Sequence, residues 1–136
     1  MSKVFLVRKE HFCASHRLHS DALSDEENKR IFDKCNNKNG HGHNYTLEVT
    51  VHADIDSNTG MIINLVDLKE IIKKWILDPF DHKHLNLDTE EFKSVNPTVE
   101  NMVLVFWGIL IKTELNSMLY EVRLFETENN IAYYRG

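Results

Sequence analysis

The residues of this chain best suited to chemistry gather in one string, CNNKNGHGHNY, from Cys35 to Tyr45. His41 and His43 stand two apart, so on an extended backbone both side chains leave the same face. Two imidazoles so placed can share a metal ion if a third ligand arrives from elsewhere. His16, at the end of the first predicted strand, is the candidate. If the first two strands pair as a hairpin, residues 17–42 leave and return to the same edge, and His16 comes to lie beside His41 and His43. Three imidazoles with an open fourth position are what catalytic zinc uses, because water or substrate must enter; structural zinc closes with a fourth residue, and Cys35 would be the closer. The residues alone leave Cys35 open, as ligand or as reactive thiol. Imidazole also suits copper, nickel and iron. Eight histidines in 136 residues strengthen the metal reading.

The elements that must position these residues fit one domain, residues 1–136, with a hydrophobic core. The chain is 42% hydrophobic and 27% charged, with a net charge of -5 and no basic run, which argues against a nucleic-acid partner. The same acidity means that an anionic substrate needs local positive charge. The N-terminus lacks the apolar run of a signal peptide, and the most apolar stretch, residues 103–111, is too short to span a bilayer. No membrane partner is expected on that ground, and two cysteines make no disulfide framework, so a cytoplasmic, reducing setting is expected.

Residues 3–15 read as a strand with apolar residues on both faces. Ser24 and Glu27 form a capping box that starts a short helix to about Phe32. Residues 34–40 read as a loop. The clearest strand is 44–55, where Tyr45, Leu47, Val49 and Val51 alternate with polar residues. Asn64 caps a helix over 65–77 whose stripe is Leu65, Leu68, Ile71, Ile72, Trp75 and Ile76. Residues 80–96 read as irregular. A second helix starts at Pro97 or Thr98 and runs to about Glu114. It is apolar almost all round, which predicts subunit contact or cover by another element. Strands over 119–126 and 131–134, with Asn129 and Asn130 in the turn between them, end the chain. The order ββααββ predicts an α+β layer design: a four-stranded antiparallel sheet with two antiparallel helices on one face.

The segments SHRLHS (15–20), KCNNKNGHGHNY (34–45), GMIINLVDLKE (60–70), DHKHLNLD (81–88), PTVEN (97–101) and YEVRLFETENNIAYYRG (120–136) closely resemble the 6-pyruvoyl-tetrahydropterin synthase family, nearly end to end. The resemblance implies the tunnelling fold (T-fold) and a homohexamer built as a dimer of trimers, with active sites between subunits. It implies zinc held by His16, His41 and His43, with Cys35, Asp81 and His82 as the proton-transfer set and Glu126 as the pterin anchor. The implied reaction converts 7,8-dihydroneopterin triphosphate to 6-pyruvoyl-tetrahydropterin with loss of triphosphate, towards tetrahydrobiopterin. Five residues separate Cys35 from His41. Relatives that make 6-carboxy-tetrahydropterin for queuosine usually carry fewer there, so the spacing favours the pyruvoyl activity over that sibling. A non-catalytic zinc-stabilised oligomer, with Cys35 as fourth ligand, is the third reading. One departure from the family is Cys13, where a serine is common.

That chemistry explains the residue types. Proton transfers at carbon bearing oxygen need a Lewis acid and a base; Cys35 as thiolate, favoured by the metal's charge and a nearby imidazole, supplies the base. His82, next to Asp81, is its expected partner. A pterin presents a ring N–H beside an amino group, and one carboxylate, Glu126, can accept both. Thr98 and Glu100 open the second long helix, where free backbone N–H groups and a hydroxyl could meet ring acceptors. Arg17, Lys34 and Lys38 flank the histidines as candidates for the triphosphate.

Overall fold

The alternation of core and solvent residues along two long strands decides the architecture. In the computed structural model, which describes residues 2–136, β1 (Lys3–His16) and β2 (His41–Asp54) pair antiparallel throughout, from Lys3 opposite Asp54 to His16 opposite His41. Phe12, Ala14 and His16 of β1 share the buried face with Tyr45, Leu47, Val49 and Val51 of β2. The Phe12 and Tyr45 rings stack at 4.9 Å across the pair. His41 and His43 continue the inward alternation of Tyr45. The candidate metal ligands are therefore the last rows of the core itself.

The excursion between the strands carries α1 (Asp25–Phe32), which begins with the expected capping box, and a 3-10 turn (Asp33–Asn36) that holds Cys35. After β2, Asn64 caps α2 (Leu65–Ile72), which continues through a π-helical turn (Lys73–Leu77) into the short α3 (Asp78–Phe80). Then come β3 (Lys83–His84), α4 (Leu85–Asp88), α5 (Val99–Leu110), β4 (Leu119–Phe125) and β5 (Ile131–Tyr134). Leu68, Ile72 and Ile76 from the α2 segment and Met102, Val103, Phe106 and Leu110 from α5 bury against the same sheet face.

The sheet corrects the four-stranded antiparallel expectation. It has five strands in the order β3-β1-β2-β4-β5, and β3 runs parallel to β1, with Ala14 opposite Lys83 and Ser15 opposite His84. Residues 80–96 are thus not wholly irregular. Two residues are too few for a period-2 pattern to register, and this strand is fixed by pairing with β1 rather than by its own sequence. The α5 helix stops at Leu110 rather than near Glu114, where the Thr113 hydroxyl donates to the Leu110 carbonyl at 2.6 Å. Its apolar outer side is covered within the chain by the C-terminal strand: the Trp107 ring meets Tyr134 edge-on at 5.4 Å. Leu104 remains exposed. No helix among the described residues is long and apolar enough to cross a membrane.

Candidate active site

His16 is fully buried at the end of β1. Its Nδ1–H donates to the Pro97 carbonyl, just before α5, at 2.8 Å, and that bond fixes the tautomer and turns Nε2 towards β2. The Tyr45 hydroxyl lies 3.4 Å from the same Nδ1. His16 Nε2 and His41 Nε2 are 3.1 Å apart, a separation at which two nitrogens share one proton or one metal ion. One nitrogen from each of His16, His41 and His43 lies within 4.8 Å of the other two. Among the described residues, His43 Nε2 and His41 Nδ1 are buried with no hydrogen-bond partner. A buried imidazole nitrogen left unpaired costs on the order of 1–3 kcal/mol, and a metal ion removes that cost for a nitrogen it binds. Burial lowers the pKa of all three rings, that of His16 to about 4 against the opposing pull of its Pro97 hydrogen bond. At neutral pH the three are therefore neutral donors, the form a metal requires. The residues fit zinc.

The approach of β1 to the histidine string depends on one glycine. Gly40 sits at φ +80, and a Cβ there would come within 2.8 Å of the His16 carbonyl oxygen and 2.9 Å of His84 Nε2. The excursion is tied back by paired contacts. The Leu18 N–H donates to the Cys35 carbonyl at 2.8 Å, the buried Asn36 amide donates to the Leu18 carbonyl at 2.8 Å, and Arg17 Nε donates to the Asn36 carbonyl at 3.0 Å. Cys35 is thereby held half-buried, yet its sulfur is not one of the donors within the 4.8 Å histidine group. Burial first, then the charges of Glu126 and Asp33, push its thiol above the ordinary value. In the metal-free chain Cys35 is a thiol, and the protein's own charges oppose the expected thiolate.

Glu126 follows β4 directly, and its carboxylate stands 3.9 Å from His16 Nε2 and 4.0 Å from His43 Nε2. Burial raises its pKa; His41 opposes this, and the charge of Glu100 adds to it. Thr98 is the N-cap of α5, its hydroxyl oxygen accepting the Asn101 N–H at 3.2 Å, so the capping role is realised. Arg17 and Lys38, together with Lys29, line a cavity of about 360 Å³ that Lys34 does not line.

Asp81 and His82 fall elsewhere within the protomer. They precede β3 and meet Cys13 on the opposite face of β1. His82 Nδ1 lies 2.9 Å from Asp81 Oδ1, and the Cys13 N–H donates to the same oxygen at 3.0 Å. Burial opposes the Asp81 charge, but the Cys13 and His82 hydrogen bonds outweigh it and hold the carboxyl below its usual value. His82 is 79% exposed and held at φ +62. Reading along the chain missed three neighbours of the histidines: Tyr45, the Pro97 carbonyl and His84, whose buried Nδ1 has no partner among the described residues. Tyr45 alone carried a signal, two positions beyond His43 on the same face.

An α+β sheet whose core ends in three clustered imidazoles, with a carboxylate 4 Å away, describes a protein with a group that could hold a metal ion. The family model described as 6-pyruvoyl tetrahydropterin synthase matches residues 5–136, and the chain belongs to that family. It is 50% identical over 129 residues to the human 6-pyruvoyl tetrahydrobiopterin synthase, covering 95% of this chain and 89% of that protein. It is 47% identical to the Dictyostelium discoideum protein of the same name, covering 98% of this chain and 96% of the relative. The solved structure of Caenorhabditis elegans 6-pyruvoyl tetrahydropterin synthase superposes with a TM-score of 0.96 at 42% identity, covering 100% of this chain and 97% of that one.

Proposed function

We propose that this single-domain protein is a 6-pyruvoyl-tetrahydropterin synthase, a carbon-oxygen lyase that eliminates triphosphate from 7,8-dihydroneopterin triphosphate in tetrahydrobiopterin biosynthesis. Three neutral imidazoles converging beside a carboxylate carry this reading. His16, His41 and His43 hold zinc. When bound, the ion acts as a Lewis acid on the oxygens of the substrate side chain. Glu126 accepts the ring N–H and amino group of the pterin, with Glu100, near enough for its charge to act on Glu126, and Thr98, at the head of α5, as further substrate contacts. Arg17 and Lys38 answer the triphosphate charge. Cys35 must first give up its own proton, against the burial and acidic charges that favour the thiol; as thiolate it takes the proton at carbon, and as thiol it returns it. Asp81 and His82 are not part of their own protomer's histidine group and serve the centre of a neighbouring subunit, in a homohexamer of two trimers working in the cytoplasm.

The test follows triphosphate release from 7,8-dihydroneopterin triphosphate by the zinc-loaded enzyme and by Cys35→Ala. Release with the pyruvoyl product, and a variant that keeps its zinc while turnover falls by about 10²–10⁴, is the expected result. The carboxy product would assign the sibling activity, and loss of zinc from Cys35→Ala would make Cys35 a ligand.

A further inference from the structure

Besides the three histidines, one other group of potential ligands closes up among the described residues. Donor atoms of Cys13, Asp81 and His82 lie within 4.8 Å of one another. The backbone presents all three. The His82 N–H donates to the Cys13 carbonyl at 2.6 Å, the Cys13 N–H holds Asp81 at 3.0 Å, and β3 then pairs parallel with β1 at Ala14. The group is open on one side, with His82 exposed and Asp81 partly so. A cavity of about 420 Å³ is lined by all three residues together with His11, Asn44 and Thr46, with room for water as a further ligand.

We propose that Cys13, Asp81 and His82 form a second metal site, separate from the histidine group of the same protomer, that takes a borderline-soft divalent ion such as zinc or cobalt. The donor set selects the ion: thiolate with imidazole favours zinc and its neighbours over calcium or magnesium, which take oxygen ligands. Bond lengths of about 2.0–2.3 Å place tetrahedral ligands roughly 3.3–3.8 Å apart, so the Asp81 and His82 donors, 2.9 Å apart in the free chain, open to admit the ion. The Cys13 thiol loses its proton to solvent as the ion enters, and the ion displaces the Asp81–His82 hydrogen bond. Occupancy withdraws Asp81 and His82 from proton transfer, so excess metal inhibits; this consequence, unlike the site, rests on the function proposed above.

Enzyme carrying one zinc per protomer is dialysed against further zinc, and separately given cobalt. The expected result is a second zinc in the parent protein and in Cys35→Ala, with a thiolate-to-cobalt absorption band in both. Cys13→Ala and His82→Asn, the latter chosen because Asn tolerates φ > 0, lose the second ion and the band while keeping the first zinc. A parent that stops at one zinc, or a band that survives Cys13→Ala, overturns the site. A second zinc without inhibition of triphosphate release leaves the site standing and removes the proton-transfer role of Asp81 and His82.

Discussion

The last residues of β1 serve two clusters, His16 on the face that carries the core and Cys13 on the face that does not. The two positions are three apart on one strand. On the His16 side four segments converge: β1, β2, the chain before α5, and Glu126 after β4. The rings there are held by burial and by the Pro97 carbonyl. On the Cys13 side the backbones of two segments do the holding, and the side chains stand at the surface. Position on the pleat thus sets the dielectric of each group. Imidazoles on the core face are driven neutral and fit to bind metal, while the carboxylate on the outer face stays charged.

The sharpest way to break this contrast is to remove a ligand from the dry side. His41→Ala leaves two imidazoles where the Lewis acid needs three. Triphosphate release is expected to fall by about 10³ or more, equivalent to about 4 kcal/mol, together with zinc content by metal analysis. Retention of full zinc and turnover would mean that the histidines are only core residues. Acid should separate the clusters next. In chelated protein, His16 has a folded pKa of about 4 against 6.5 for the ordinary side chain. Between those values the unfolded chain binds more protons, so about 3 kcal/mol of stability is lost as pH falls from 6.5 to 4. Asp81 shifts the other way. Its contribution is present above the ordinary Asp pKa of 3.8 and is lost only as pH falls through its lowered folded value. Urea unfolding at stepped pH should therefore show the His16 loss first, and Asp81→Asn should leave that first loss unchanged.

The same contrast explains what could be read along the chain. The alternation Tyr45, Leu47, Val49, Val51 was legible from residue 44; the structure extends the strand back to His41, so the face that carries the candidate ligands continues the core. The hairpin then placed His16 opposite His41, as the pairing shows. Ser24 and Glu27, and the caps at Asn64 and Thr98, announced helix starts by local bonds that the structure makes. Contacts without local signals were not visible. β3 has no pattern of its own, the Pro97 carbonyl meets a residue 81 positions away, and the meeting of Cys13 with Asp81 and His82 depends on that unseen strand. Of the two acidic charges that act on Cys35, Asp33 is a sequence neighbour, whereas Glu126 is brought near only by the fold.

In the proposed function Glu126 links the dry cluster to recognition of the pterin. Glu126→Gln keeps the shape but replaces one acceptor with a donor, so one of two charge-assisted bonds to the pterin is lost. Substrate affinity is expected to fall about 30-fold, equivalent to about 2 kcal/mol, with zinc content unchanged. Loss of zinc in this variant would make Glu126 part of the metal centre instead, a result its distances of 3.9 and 4.0 Å to two imidazoles make worth measuring.

The smallest effect belongs to the wet side. His82 is 79% exposed, and its ring contributes one hydrogen bond to a carboxylate that also accepts the Cys13 N–H. Its backbone, at φ +62, is the more demanding feature. Asn accepts that conformation, so His82→Asn removes the ring without straining the turn. The expected change in stability is within about 0.5 kcal/mol, roughly 2 °C in Tm for a chain of this size, measured by thermal unfolding of metal-free protein. His82→Ala should cost more than His82→Asn, because the left-handed backbone then lacks a tolerant side chain. If instead the two variants were equally destabilised by several degrees, the ring would be holding β3 against β1, and the outer cluster would be as structural as the inner one.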